Sequence, residues 1–347
     1  MSWHNQIWPN FVEYVTTFEP YKKHSENFMQ YFGNNKTPST GFKNRSLSWY
    51  NPVSNRFKFN CGYRMNCNVY RSCDHGCSYC YVNGYSGGVT KGKRNSSFVK
   101  NLKRDLNDFV HCNMPKGPVH ISNSTDPLQE RLEKKHYDTF QTLKLLSNYK
   151  DYFSEFIILT KNPGMLLGSN PDYMPVIESI KDILSIEISI AFFRNNYQCL
   201  EPEAPNPQDR LKALQELIKL GFNVRLRLDP LFPQGNGEQT HDDIVSILDG
   251  SKGIQCVISK PLRLIKPKKG QPELFYNMMT EHYQGGKKAG VEWHGGRYVY
   301  SRDRVKNEMG FLSDQCLQRN IPLIHCKKTV LVDTAGKSLI KKILEQN

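Results

Sequence analysis

The chain has 347 residues, 38% hydrophobic and 12% aromatic, and its mean hydropathy is −0.60. No run approaches the ~18 apolar residues of a membrane span, and the recurrent apolar runs exclude a fibrous or disordered chain. Lysine and arginine number 47 against 33 acids, a net charge of +14, which favours polyanionic partners, nucleic acid above all; a solvated basic face is the plain alternative.

The opening residues, MSWHNQIWPNFVEYV, place no basic segment ahead of an apolar run, so no secretory leader and a cytoplasmic setting are expected. In that reducing setting the ten cysteines read as metal ligands or catalytic groups rather than disulfides. Residues 1–60 are polar and aromatic, punctuated by NNKTPST and NPVSN. They read as an irregular N-terminal extension with at most short helices, around Phe11–Phe18 and Tyr21–Phe32. Five cysteines follow between Cys61 and Cys80, then a glycine-rich stretch over Gly84–Gly92.

From there a regular alternation sets in. Short β-branched runs predict buried strands at Pro118–Ser122, Glu155–Thr160, Leu184–Ile190, Asn223–Leu228 and Ile254–Ser259. Helical patterns fall between them, at Ser97–Cys112, Lys135–Lys150, Asp172–Lys181, Pro207–Leu220 and Thr240–Leu248. The clearest is Pro207–Leu220, with Leu211, Leu214, Leu217 and Ile218 on one face and Gly221 as its stop. A strand just before Cys73 brings the total to about six βα units, hence a partial or complete α/β barrel over residues 61–260. Residues 261–347 read as a basic C-terminal extension: a helix at Glu273–Lys288, the segment VEWHGGRYVYSRDR, and a final helix–strand pair. Barrel sites lie in the loops after the strands, where the cysteine cluster falls.

Within that cluster, Cys73-Asp-His-Gly-Cys77-Ser-Tyr-Cys80 has C-x3-C-x2-C spacing. Three thiolates on one tight loop can bind three corners of a [4Fe–4S] cube and leave the fourth iron open to a small molecule. A structural zinc site wants four closed ligands; a zinc knuckle recruiting His75, Cys61 or Cys67 is the structural alternative. Cys61 and Cys67 otherwise read as packing residues, as does Cys199.

This spacing, with an aromatic before the third cysteine, resembles the radical S-adenosylmethionine (SAM) superfamily. NVYRSCDHGCSYCYV is similar to the spore photoproduct lyase-like group, also called DNA repair photolyase-like proteins. Further matching segments come in the same order: STDPLQERLEKKH, ILTKNP, ISIAFF, LEPEAPNPQDRLKALQELIKLGFNV, Asp229–Pro230 and GGRYVYSRDR. The resemblance runs from Asn66 to Asp303. It implies a partial (βα)6 radical SAM barrel and an enzyme that cleaves SAM to a 5′-deoxyadenosyl radical, which abstracts hydrogen from its substrate.

By position, the resemblance assigns Cys73, Cys77 and Cys80 to the cluster. Tyr79 falls near the adenine, while Thr125, Lys161 and Ser189 become SAM contacts, the lysine suited to the SAM carboxylate. The candidate catalytic positions are Tyr81, matching a radical-relay tyrosine, Asn123 and Tyr298. Asn123 stands where the lyases carry a hydrogen-donor cysteine, and an amide cannot donate a hydrogen atom as a thiol can. Thymine-dimer repair by that route is therefore not expected.

The basic surplus concentrates between Ser251 and Lys306. There Lys266, Lys268, Lys269 and Arg297 are candidate phosphate contacts, with Trp293, Tyr298 and Tyr300 as stacking platforms. Lys91, Lys93 and Arg94 are expected at the same mouth. The expected partners are a DNA or RNA substrate, whose base is modified or repaired, and a reductant such as flavodoxin or ferredoxin. A radical SAM enzyme acting on a peptide or small metabolite, and a non-catalytic metal-stabilised nucleic-acid-binding protein, are the alternatives.

Overall fold

The computed structural model describes residues 22–33, 45–49, 65–80, 82, 91–194, 197–232, 239–262, 264–265, 291–294, 297–300 and 302–325. Among these residues one sheet carries eight strands in chain order. They are β1 (Ser48–Trp49), β2 (Met65–Cys67), β3 (Pro118–Ile121), β4 (Glu155–Thr160), β5 (Leu184–Ser189), β6 (Asn223–Leu231), β7 (Val257–Pro261) and β8 (Leu323–His325). From β2 to β8 every pairing is parallel, and only β1 runs antiparallel, against β2.

Parallel neighbours need crossover connections, and helices supply them. In chain order these are α1 (Ser25–Phe32), α2 (Phe98–His111), α3 (Glu130–His136), α4 (Asp138–Ser147), α5 (Met174–Ser179), α6 (Tyr197–Leu200), α7 (Pro207–Lys219), α8 (His241–Gly250) and α9 (Arg302–Gln318). The first precedes the sheet; the others each fall between successive strands from β2 to β8. This is the expected partial α/β barrel.

Local chemistry sets the boundaries. Asn206 accepts a bond from Gln208 N at 2.8 Å to start α7. At its end Phe222 N bonds Leu217 O and Gly221 N bonds Ile218 O, with Gly221 at φ +76°, the left-handed stop that glycine adopts without strain. The helix predicted at Lys135–Lys150 is instead two, broken at Tyr137 with φ 56°. The buried Glu133 carboxylate explains the break, accepting from Thr139 N at 2.8 Å and Phe140 N at 3.4 Å in the first turn of α4. The strand expected just before Cys73 also divides. Met65–Cys67 joins the sheet, whereas Tyr70–Arg71 leaves it to pair antiparallel with Lys93–Arg94.

On β5, Leu184, Ile186 and Ile188 enter the main apolar core, while Ser185, Glu187 and Ser189 are buried on the other face. On β6, Val224, Leu226 and Leu228 do the same, with Arg225, Arg227 and Asp229 opposite. The face away from the helices is thus polar, and its charges are paired as burial requires. Arg227 bonds Glu187 at 2.7 Å and Asp229 at 2.8 Å. Before the barrel, Phe28, Tyr31, Phe32 and Leu47 pack into the same core. Arg45 anchors this segment, bonding Asp105 at 3.0 Å and lying 4.1 Å from the Tyr31 ring centre. The helices predicted at Phe11–Phe18 and Glu273–Lys288 lie outside the described residues.

Candidate metal and cofactor site at the strand ends

The Cys73–Cys80 loop is fastened on three sides. Toward α3, Gln129 Oε1 accepts from Asp74 N at 2.7 Å and Gln129 Nε2 donates to Ser72 O at 3.2 Å. The Asp74 carboxylate accepts from Gly92 N at 2.8 Å and from Arg131 at 2.9 Å. Toward β3 and β4, His75 Nε2 meets Asp126 Oδ2 at 2.9 Å. The same carboxylate accepts from Leu128 N at 2.8 Å, Thr160 Oγ1 at 2.8 Å and Lys161 N at 2.6 Å. Burial alone would raise Asp126, but the facing His75 and these donors hold it below the usual carboxylate range. On the third side Ser78 N bonds Leu200 O at 2.9 Å and Glu203 N bonds His75 O at 3.3 Å.

Gly92 sets how closely this bracing packs. A Cβ there would stand 2.2 Å from Gln129 Oε1 and 3.2 Å from Asp74 Oδ1. Gly92→Ala is therefore expected to break the Gln129–Asp74 bond, costing roughly 1–3 kcal/mol of local stability. The check is amide hydrogen exchange: the Asp74 amide should be protected in the parent and exchange rapidly in the variant. Unchanged protection would show that the loop does not depend on the bridge.

The three thiols are half-buried. Burial pushes Cys73 up to about 12 and Cys77 well above its ordinary value; neighbouring Cys80 adds to both, and the Lys161 ammonium only partly offsets the rise at Cys77. Such a group becomes a set of thiolates only when a metal-borne positive charge arrives. Among the described residues, no group of three or more His, Cys, Asp or Glu is arranged to hold a single metal ion. The zinc alternative loses two of its recruits, since His75 has both ring nitrogens engaged, by Asp126 and by Glu203 O at 3.3 Å. Cys67 is buried in β2, its thiol pushed up to about 12. Cys61 lies outside the described residues.

Beside Cys77, Lys161 Nζ, just past β4, bonds Ser189 Oγ at the end of β5, 2.8 Å away. It also pairs with the fully buried Glu201 at 2.9 Å. Arg210 holds the other Glu201 oxygen at 2.6 Å and donates to Ser189 O at 3.1 Å. The Tyr79 hydroxyl donates to Glu201, and its ring packs edge-on against Phe232 at 5.4 Å and Phe192 at 6.1 Å. Burial would raise the Glu201 carboxyl, but the charges of Lys161 and Arg210 outweigh it and hold it at about 2. Two cations against one anion leave this buried group one positive charge in surplus. Such a surplus suits an added carboxylate, or thiolates bearing a cluster. Lys161, Ser189 and Tyr79 are the members of this group expected above; Glu201, Arg210 and Asp126 are found only in the structure. The missing signal was the counter-charge that a buried lysine demands.

The remaining expectations divide. Thr125 follows β3, and its hydroxyl donates to Tyr70 O at 3.3 Å. Asn123 follows β3 as well, its N–H donating to Asn66 Oδ1 at 3.2 Å. Arg297 and Tyr298 lie on the strand Arg297–Tyr300, whose residues 297 and 298 pair with 265 and 264. Tyr81, Lys266, Lys268 and Lys269 lie outside the described residues, as do the side chains of Arg297 and Tyr298. Arg94 is not a free mouth cation; Asp138 takes it by two bonds, at 2.7 and 2.9 Å. Cys199 is exposed rather than buried, because Leu200 takes the inward position of the short α6.

The sheet, its crossover helices and the loops at its strand ends define a partial α/β barrel with the candidate site past the strand ends. No family model and no curated sequence matches the chain. Among solved structures, it is similar to a spore photoproduct lyase variant with bound AdoMet and dinucleoside spore photoproduct, at TM-score 0.58 and 13% identity over 76% of each chain. A spore photoproduct lyase complexed with dinucleoside spore photoproduct gives TM-score 0.58 and 13% identity, over 82% of this chain and 80% of that one. The radical S-adenosylmethionine methyltransferase TsrM from Kitasatospora setae gives 0.49 and 10%, over 84% of this chain and 60% of that one. At such identities the likeness is one of fold.

Proposed function

We propose that this protein is a radical SAM enzyme acting on a base in DNA or RNA. The observation that carries the reading is the C-x3-C-x2-C loop at the strand ends, set beside a Lys161–Ser189 pair 2.8 Å apart. Cys73, Cys77 and Cys80 would hold a [4Fe–4S] cluster; the donor set fits, three thiols on one braced loop with a spare positive charge next to them. Lys161 and Ser189 would take the SAM carboxylate, Tyr79 would flank the adenine, and Thr125 would lie along the nucleoside. Glu201 aims Lys161 and keeps its ammonium charged against burial and the neighbouring Arg210, which holds the other Glu201 oxygen. When bound, cluster and SAM supply hydrogen-atom abstraction from the substrate, and the protein's part is orientation and exclusion of water.

The nucleic-acid substrate is supported by the +14 net charge and by the lyase fold. Asn123 speaks against the lyases' thiol-dependent return of hydrogen, so base modification, or repair ending at another donor such as Tyr81 or Tyr298, is the reading we favour. The deciding experiment is an anaerobic assay for 5′-deoxyadenosine, with and without single- and double-stranded oligonucleotides; no 5′-deoxyadenosine from a fully reconstituted protein would end the radical SAM reading.

A second expectation concerns the basic stretch. Changing Lys266, Lys268 and Lys269 to Glu is expected to weaken oligonucleotide binding at least 100-fold at low salt. It should also flatten the salt dependence, by about 0.9 in log–log slope for each duplex phosphate no longer neutralised, while leaving SAM cleavage without substrate unchanged. Binding and turnover equal to the parent would replace nucleic acid with a peptide or small-molecule substrate.

A further inference from the structure

The Tyr70–Arg71 and Lys93–Arg94 strands form a two-stranded antiparallel ribbon in which Arg71 stands directly opposite Lys93. Both are exposed, as is Lys91 two residues along. Among the described residues none of the three has an ion-pair partner. Like charges directly opposed across a ribbon are destabilising by themselves. The neighbourhood does not relieve them: residues 61–100 contain Arg64, Arg71, Lys91, Lys93, Arg94 and Lys100 against one acid, Asp74. That acid is already taken by Arg131, and Arg94 by Asp138. The ribbon is also tied to the cysteine loop. Arg71 precedes Cys73 by two residues, at most ~7 Å of extended chain, and Gly92 N bonds Asp74 inside the loop at 2.8 Å.

We propose that this ribbon is the docking face for an acidic, low-potential electron-transfer protein, which reduces a cluster held by Cys73, Cys77 and Cys80. The inference rests on the cluster reading above. In the transfer one electron leaves the partner's reduced centre and one enters the cluster, with no bond made or broken. A few unpaired cations suffice to steer an acidic protein into register. A nucleic-acid groove needs a longer track of cations with aromatic platforms between them, and the ribbon's one aromatic, Tyr70, is buried with its hydroxyl on Glu133. The short path to Cys73 gives the docked partner a direct electron route.

The test compares two reductants on the full-length reconstituted protein, following bleaching of the cluster absorption near 400 nm under anaerobic conditions. With fully reduced acidic flavodoxin, Arg71→Glu/Lys93→Glu is expected to lower the second-order rate constant at least 10-fold at low ionic strength. The difference should close as added salt screens it. With dithionite the variant and parent should bleach alike. Equal rates with flavodoxin would overturn the proposal, and so would equal slowing with both reductants, which would place the effect in the loop. Unchanged flavodoxin rates with weakened oligonucleotide binding would hand the ribbon to nucleic acid. Failure of the cluster reading is separate, since the parent itself would then show no absorption to bleach.

Discussion

Cys77→Ala, reconstituted anaerobically with iron and sulfide, is expected to lose its cluster and, with it, all SAM cleavage. Cys73→Ala and Cys80→Ala should behave alike, because on the proposed reading each removes one of the three protein ligands to the cube. The control is Cys256→Ala. That thiol is buried just ahead of β7, at the opposite end of the strands from the cysteine loop, so it packs rather than ligates. Iron and sulfide content and 5′-deoxyadenosine yield are the measurements. A Cys77→Ala protein with full iron content and turnover would remove the basis for the proposed function.

Glu201→Gln is expected to be the most damaging change outside the cysteines. It leaves the buried Lys161 and Arg210 without their shared counter-charge, and breaking such a pair by removing one partner costs on the order of 3–5 kcal/mol. The pH dependence identifies the cause. The folded carboxyl is held at about 2 against an ordinary 4.5, a depressed value worth roughly 3 kcal/mol. That stability is fully present above pH 4.5 and is lost as pH falls from there toward 2. Denaturant unfolding at pH 7, 4.5 and 3 should therefore show the gap between parent and variant widest at pH 7 and narrowing on acidification. A gap independent of pH would mean that packing, not charge, holds the group. The variant should also release Lys161 from Ser189, raising the KM for SAM more than it lowers kcat.

Strands β3 to β7 were legible because β-branched runs stand between amphipathic helices, and only their ends moved. β6 continues to Leu231, three residues beyond the predicted end, since Asp229–Pro230 reads as a strand end, a proline having no N–H to give the ladder. The strand β2 is three residues long, too short for periodicity to register. The cysteine triplet was legible because its meaning is carried by spacing. Glu201 was not, because burial of an acid is decided by Lys161 and Arg210, which arrive from other elements. Arg94 was misjudged for the same reason: Asp138, 44 residues away in sequence, turns a surface cation into a structural one.

The two edges of the sheet carry a consequence for how the chain survives its own synthesis. β1 covers the open hydrogen-bonding edge of β2, and β8 covers that of β7. Both covers come from outside the stretch whose βα rhythm is plain in the sequence. Until β8 emerges, β7 offers a bare template to any extended strand, including its own counterpart on a neighbouring nascent chain. A fragment trimmed to residues 61–261 would keep the strands β2 to β7 and the cysteine loop, yet display two adhesive margins. Among the described residues the sheet ends in strands of two and three residues, and edges that short offer little for a second strand to pair with.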